Sequence, residues 1–501
     1  MNVITMTIHN IKGIHNGTIE LPLENGIYAL VGSNGCGKST VMSCLAQLIS
    51  RHNLGLLMKE DYDSSSYVEF RFNNKTDRWT CNDKGFWKSS IYPKTFSVNG
   101  TYEGSLFYGQ RFRDSKNVDY LMEENQIEEE YIVDADVYII EKLGLILHGN
   151  PNYYDKLKRI KNKRIAEQYN LKNTPYFFTS SRGLISQYRM SSGECLLISL
   201  LHFIYNSLIR RSLPSDKSIL MLIDEIELAL HPVAINNLLD LLKELTYEYE
   251  NLTVIITSHS PEVIRKISPM NIYKIEKSTS TDNDFQIINP CYPSYAIRDV
   301  YTHDGYDYLL LVEDELAKRI VNKSIKDIGL NKSRLINITP VGGWRNVLKL
   351  QYELVNQNIL GVGKQVFSIL DGDVSKDIPR EFRSARKLFL PINSVEKYLK
   401  NILVDDPNFQ IKKEINDEFF SIKSIDTIIS EYNIEEDKNK KNMGSKYKDD
   451  SDGKRLYKRL IKDVEKRNIT EMQFIDGIYE IIKKYVDLTS FNKSLEKELS
   501  L

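Results

Sequence analysis

The stretch YALVGSNGCGKST, residues 28–40, constrains this chain more than any other. Gly32, Gly37, Lys38 and Ser39 fill the pattern GxxxxGK[ST], directly after a short strand and directly before the apolar helix VMSCLAQLIS. Glycines at these places let backbone N–H groups curl around a phosphate chain at a helix start. Ser33, Asn34, Gly35, Cys36, Gly37, Lys38, Ser39 and Thr40 are therefore the expected phosphate-binding positions. Lys38 would reach the outer phosphates, and the Ser39 hydroxyl would ligate magnesium. A bare glycine-rich turn is the alternative, and the flanking strand and helix speak against it.

Three later motifs fit the same chemistry. The runs ILMLI and LTVIIT are almost wholly apolar and read as central parallel strands. Asp224 and Glu225 end the first, where one carboxylate can complete a magnesium shell and the next can activate a water. Two acids at a buried strand end would otherwise be costly. His259 ends the second strand and is expected at the γ-phosphate. Ser191, Ser192, Gly193 and Glu194 precede the long apolar helix CLLISLLHFIYNSLI and form either a second anion-binding helix start or an ordinary N-cap. ATP and Mg2+ are the expected cofactors.

In this order the motifs resemble the ABC ATPases of the SMC-like branch. HNIKGI before the phosphate loop and ELALHP after the paired acids, with His231 and Pro232, extend the resemblance. It implies a head-to-head homodimer, or a higher homo-oligomer, in which Ser191–Glu194 serve the nucleotide held by the other subunit. It also implies a glutamine near the γ-phosphate, for which Gln110 in FYGQRF is the candidate; an ordinary surface glutamine is the alternative.

A second alternating series follows: strand YLLLV, a helix from Glu315, strand LINIT, the turn Gly342-Gly343, helix RNVLKLQYELVNQ, and strands VFSIL and LFL. Strands and helices of these lengths predict a small parallel sheet. Glu313 closes the first strand, and Asp371 and Asp373 close VFSIL in the order DGD. Acids at the C-terminal ends of neighbouring parallel strands converge, and they repel one another unless a divalent cation joins them.

This arrangement resembles a Toprim domain. VGGWRNVLKL is similar to the turn and helix between that domain's metal strands, and LPINSVEKYL to a segment carrying a further acid, here Glu396. The resemblance implies Glu313, Asp371, Asp373 and Glu396 as ligands of Mg2+ or Mn2+, with Lys397 and Lys400 as candidates to steady phosphate charge. An SMC-like ATPase joined to a Toprim domain resembles the OLD (overcoming lysogenization defect) family of endonucleases, some of them phage-defence or retron-associated effectors, over about Met1 to Leu399. It implies a nucleic-acid substrate, DNA first, and an associated defence component as partner. One departure stands out: the glutamate strand continues VEDELA where the pattern is VEGxxD, so Asp314 or Glu315 would have to substitute.

The expected fold is thus α/β. An ABC/SMC-like P-loop ATPase domain (1–290) carries an insertion of strands and charged helices at about 51–175. A Toprim-like domain (306–402) and a mostly helical region (403–501) follow. KSTSTDND and the segment Pro290–Pro293 read as a linker, and EEDKNKKNMGSKYKDDSDGK as a mobile charged stretch. A length of 501 residues requires several cores. The net charge of −1 excludes a global field that draws in nucleic acid, so contact would need a local patch. The run KLKRIKNKR, Lys156–Arg164, reads as a charged helix face, with a DNA-binding stripe as the alternative. Five scattered cysteines without CxxC spacing fit a reduced, cytoplasmic setting. The N-terminal residues lack the pattern of a secretory signal, and no apolar run is expected to reach the roughly 18 residues that span a bilayer. A rival reading from another class keeps the ATPase but makes the second domain an inert scaffold within an ATP-gated DNA-binding sensor.

Overall fold

The computed structural model describes residues 3–104, 114–181, 183–210, 218–278, 284–299, 305–361, 363–443 and 447–500. The chain divides into two compact units, Met1–Asp304 and Gly305–Leu501.

In the first unit, β1 (Val3–Ile11) and β2 (Ile14–Pro22) form a hairpin, and β3 (Gly26–Val31) leads into the phosphate loop. β4 (Tyr62–Phe72), β5 (Lys75–Cys81) and β6 (Trp87–Ser89) complete an antiparallel sheet in the order β2-β1-β4-β5-β6. Alternate residues of β1 (Ile4, Met6, Ile8) are buried, the period expected of a strand with one covered face.

The main sheet adds β7 (Asn99–Glu103). Two strands, β8 (Ile132–Asp134) and β9 (Leu157–Ile160), then belong to a small antiparallel sheet with β10 (Tyr176–Ser180) and β11 (Gly183–Ser186). β12 (Ile219–Ile223), β13 (Leu252–Thr257), β14 (Ile272–Lys277) and β15 (Phe285–Ile288) return to the main sheet, whose order is β15-β14-β3-β13-β12-β7. All but β15 run parallel. Every residue of β12 and β13 is buried, which only a central strand covered on both faces can sustain. The phosphate-loop helix Lys38–Leu45 packs in the core between the two large sheets, where Val41 and Leu45 meet Met6, Phe70, Leu220 and Ile255.

Three sequence expectations change here. The basic run Lys156–Arg164 is not a helix face: Leu157–Ile160 is the strand β9, and a short helix starts only at Lys163. Leu157 and Ile160 are fully buried, and antiparallel pairing of the segment with β8 and β10 sets the local structure where charge density suggested a helix. KSTSTDND joins neighbouring strands, since β14 and β15 pair antiparallel with Lys277 opposite Phe285. The segment after Pro290 packs into the first unit, with Cys291, Tyr292, Tyr295 and Ile297 buried. Finally, Ser192–Ile209 is long and apolar enough by composition to cross a membrane, contrary to expectation. Its Leu197, Ile198, Leu201 and Ile204 are buried in the ATPase unit, which accounts for the composition of a core helix.

In the second unit, β16 (Tyr308–Val312), β17 (Ile336–Pro340), β18 (Gln365–Leu370) and β19 (Lys387–Phe389) form a parallel sheet in the order β17-β16-β18-β19. Helices Glu315–Asp327 and Trp344–Asn356 supply the crossovers. The helices after residue 405 belong to the same unit: Arg319 pairs with Asp476, and Arg386 with Glu498. Helix Ile425–Met443 continues through much of the stretch expected to be mobile, and Asp450 is buried against the Tyr432 hydroxyl and the N–H groups of Arg455 and Leu456.

Candidate functional site

The first site is a cleft of about 540 Å3 at the C-terminal ends of β3 and β13. Asn34 to Thr40 line it, together with Glu225, His259 and, on the far side, Ile14, Asp284 and Phe285. Gly32 and Gly37 have φ of 149° and 103°, which a side chain rarely tolerates. A Cβ at Gly32 would also lie 2.4 Å from the Ile275 carbonyl, so only glycine lets the loop turn there.

Lys38 Nζ donates to the carbonyls of Gly32 (2.9 Å) and Ser33 (3.0 Å). Burial pushes its pKa below the ordinary lysine value, against the pull of Cys36, Asp224 and Glu225. Thr257 ties the paired acids together: its Oγ1 donates to Asp224 Oδ1 at 2.6 Å and accepts from the Glu225 N–H at 2.7 Å. Glu225 sits at φ +54°, a strained left-handed position that aims it out of the strand end. Burial, then the charges of Asp224 and Glu227, raise its pKa, as suits a group that must take a proton from water. The His259 N–H donates to Glu227 Oε1 at 2.6 Å, and burial keeps its imidazole below the usual pKa and neutral.

Ser191 to Glu194 do not line this cleft. They close a reciprocal cap on the helix Ser192–Ile204: the Glu194 N–H donates to Ser191 Oγ at 3.3 Å, and the Ser191 N–H donates to Glu194 Oε2 at 2.8 Å. The Tyr154 hydroxyl holds the other Glu194 oxygen at 2.5 Å. Burial pushes the Glu194 carboxyl up, but these bonds outweigh it and its pKa ends below the usual range. A Cβ on Gly193 would lie 2.7 Å from the Ala229 carbonyl, so the helix start abuts the ELALHP loop. His231 caps the next helix, accepting from the Ala234 N–H at 3.2 Å. Gln110 lies outside the described residues.

The second site crowns the parallel sheet of the other unit. Glu313 Oε1 accepts the Asp371 N–H at 3.0 Å and Oε2 the Trp344 N–H at 3.1 Å, while the N–H of Gly342 donates to the Glu313 carbonyl at 2.9 Å. Asp371 is 7% exposed; burial, and then the charges of Glu313, Asp314, Asp373 and Glu396, push its pKa up to about 8. Burial also raises Glu313 and Glu396, each under the further influence of Asp314. Asp373 pairs through one oxygen with Lys397, which raises the lysine, while Asp373 Oδ1 and Glu396 Oε2 are buried without a hydrogen-bond partner. Lys400 is engaged by Asp405 at 2.9 Å. Asp314 caps the helix Glu315–Asp327, its Oδ1 accepting the Ala317 N–H at 2.8 Å.

These four acids feel one another electrostatically, yet among the described residues no three His, Cys, Asp or Glu side chains are gathered closely enough to share one ion. Hard carboxylate oxygens, two of them buried and orphaned, are donors that suit Mg2+ or Mn2+. Glu313 has lone pairs left beside its two backbone bonds. The donor chemistry fits such a metal, and ligation would require the side chains to draw together.

Sequence reasoning missed Thr257, Glu227 and Tyr154, which position the named residues. The signal for Thr257 was a polar residue at the end of an otherwise apolar strand.

Residues 109–265 match the family described as "AAA domain, putative AbiEii toxin, Type IV TA system". No curated protein matches the chain. Similar solved structures include an SmcHead bound to the C-winged helix domain of ScpA, at 15% identity over 58% of this chain and 98% of that one, with a TM-score of 0.34. The SMC head domain from Thermotoga maritima shows 15% identity over 58% and 99%, with a TM-score of 0.31. An Smc head domain with an extended coiled coil, bound to the C-terminal domain of ScpA derived from Pyrococcus furiosus, shows 14% identity over 57% and 96%, with a TM-score of 0.35. These likenesses are loose, and the assignment rests on the matched segment and on the cleft. Together they support an ATPase in the first unit, with the AAA-type match over residues 109–265.

Proposed function

We propose that this chain is an ATP-hydrolysing, metal-dependent nuclease of the OLD type, whose ATPase units pair around ATP and whose second unit, a Toprim-like domain, cuts nucleic acid, with DNA as the substrate. In the cleft, Lys38 and the loop N–H groups hold the phosphates, and Ser39 and Asp224 would hold magnesium. Glu225 takes a proton as water attacks the γ-phosphorus and the bond to the β,γ-bridging oxygen breaks. The separation of Ser191–Glu194 from the cleft of their own chain supports a dimer in which they meet the partner's nucleotide.

The observation that carries the nuclease reading is the placement of Glu313, Asp371 and Asp373 at the C-terminal ends of two neighbouring parallel strands, with Glu396 near enough to add its charge and Asp371 raised to about 8. A divalent metal held there would neutralise the acids and polarise a phosphodiester. Glu313 and Asp371 would fix it through the strand ends, and Lys397 would stand ready beside Asp373 for phosphate charge. Water adds to phosphorus, the bond to the leaving oxygen breaks, and that oxygen takes up a proton. The toxin in the description of the matched family fits a damaging activity of this kind, which we assign to antiphage defence. Plasmid nicking by the purified chain, with Mn2+ or Mg2+ and with or without ATP, tests this. Cleavage that Asp371→Ala leaves unchanged, or its absence under every metal and nucleotide condition, sinks the reading.

A second reading, an ATP-gated sensor with an inert second unit, draws on the Lys397–Asp373 pair and on the two backbone bonds that occupy Glu313. It predicts no metal-induced stabilisation of the protein.

A further inference from the structure

The ATPase unit contains a second cavity, of about 500 Å3, that the ATP chemistry does not use. Its size falls within the range of small-ligand sites. One wall is the chain that leaves the phosphate-loop helix, from Ala46 to Asn53; another is the Ser199–Phe203 segment of the helix that begins at Ser192; a third is the strand β7. A molecule seated there touches the continuations of both elements that handle nucleotide.

The lining has the mixture that an aromatic, phosphate-bearing molecule requires. Tyr102 and Phe203 present rings and Ile49 presents apolar surface, with the buried Tyr176 and Ile198 packed behind them. Thr101 stands in the β7 wall, its Oγ1 buried without a hydrogen-bond partner and out of reach of the open space. Asn53 commits its amide N–H to the Ser43 carbonyl and Gln187 commits its carbonyl to the Tyr176 N–H. Among the described residues Asn53 Oδ1 and Gln187 Nε2 have no further bond, and they supply an acceptor and a donor. Lys163 and Lys172 complete the lining with positive charge, and no carboxylate among the described residues pairs with the Lys172 ammonium. The helix beside the cavity widens into a looser turn at Tyr205–Ile209, immediately beyond His202 and Phe203. Such turns are places where a helix can shift.

We propose that this cavity is a regulatory site for a nucleoside monophosphate. The base lies beside the Tyr102 and Phe203 rings, Asn53 and Gln187 read its polar edge, and the phosphate meets Lys172 and Lys163. Occupancy biases the position of the Ser192 helix relative to the phosphate-loop helix, and so changes ATP turnover by a coupling between two sites.

The full-length protein, held with a saturating non-hydrolysable ATP analogue so that the P-loop cleft cannot contribute, is titrated calorimetrically with AMP, GMP, CMP and UMP. At least one is expected to bind with a Kd below about 1 mM and to change ATP turnover, measured separately with ATP, by about threefold or more. Lys172→Glu should weaken binding by about tenfold or more through charge reversal at the phosphate. Ser199→Trp should abolish it by filling the cavity. Lys172 is exposed, so that variant keeps the test alive if the tryptophan disturbs folding. Both variants are first checked for wild-type affinity for the ATP analogue. Absence of binding by all four nucleotides, or equal binding by wild type and Lys172→Glu, overturns the site. Binding without any change in turnover overturns its regulatory role.

Discussion

The two acid-bearing sites solve the same electrostatic problem differently. In the ATPase cleft, Asp224 and Glu225 face a buried lysine, and Thr257 satisfies one carboxylate while fixing the backbone of the other. Burial and the charges of Asp224 and Glu227 still raise Glu225, but hydrogen bonds within the chain fix both paired acids in place. In the second unit, Asp373 pairs with Lys397 and Glu396 feels Lys454, yet the four acids Glu313, Asp371, Asp373 and Glu396 outnumber these cations and Asp371 holds its proton to about pH 8. The first site is organised by the chain alone; the second is left with an excess of negative charge that a cation from solution would relieve.

That contrast is broken most directly by removing one acid from each site. Asp371→Ala is expected to reduce metal-dependent nicking by about a thousandfold or more, since a ligand-bearing strand end is lost, with ATP hydrolysis within about twofold of wild type. Glu225→Gln is expected to reverse the pattern, lowering the rate of phosphate release by about a hundredfold or more while ATP binding persists. Lys38→Ala should instead lose ATP binding itself, by about a hundredfold, read by fluorescent-nucleotide titration. Equal effects of Asp371→Ala and Glu225→Gln on both activities would mean that the sites are not chemically separate.

Thr257→Val is a sharper and smaller probe. It keeps the strand's shape and β-branching but removes the hydroxyl that links Asp224 to Glu225. A drop of about tenfold in kcat with little change in KM is expected, because the ground-state phosphate contacts of Lys38 are untouched. A rise in KM alone would show that Thr257 serves binding rather than the alignment of Glu225.

Much of this was legible in the sequence, and the reasons differ from element to element. The phosphate loop and the strands β12, β13, β16 and β18 announce themselves because largely apolar runs that lead into Gly, Asp, Glu or, after β13, His have few other uses. The basic run at Lys156–Arg164 misled because charge density says nothing of pairing, and the three-residue spacing of the buried Leu157 and Ile160 suits a helix as readily as a strand; the ladders to β8 and β10 decide it. Asp450 was hidden among acids and lysines, and only the folded chain shows its carboxylate capping a helix start beneath Tyr432. The positioning roles of Thr257, Glu227 and Tyr154 depend on contacts between residues distant in sequence, which no local pattern carries.

The smallest expected effect concerns pH, and its sign follows from the raised carboxyl of Asp371. An aspartate in the unfolded chain ionises near its ordinary value, whereas in the fold it holds its proton to about pH 8. Between those limits the native state binds a proton that the unfolded state has released, so stability falls as pH rises through the window and levels off above it. In the metal-free protein the midpoint of thermal unfolding should therefore decline from about pH 4 to about pH 8. Asp371→Asn, which keeps the shape and cannot ionise, should flatten that decline and be the more stable protein at the alkaline end. Added Mn2+ or Mg2+ competes with the proton for the same oxygens, so its stabilising effect on the wild type should grow across the window and be much smaller in Asp371→Asn. A pH profile that is identical in the two proteins, with no metal response in either, would show that the acids of the second unit need no cation from solution and would remove the contrast between the sites.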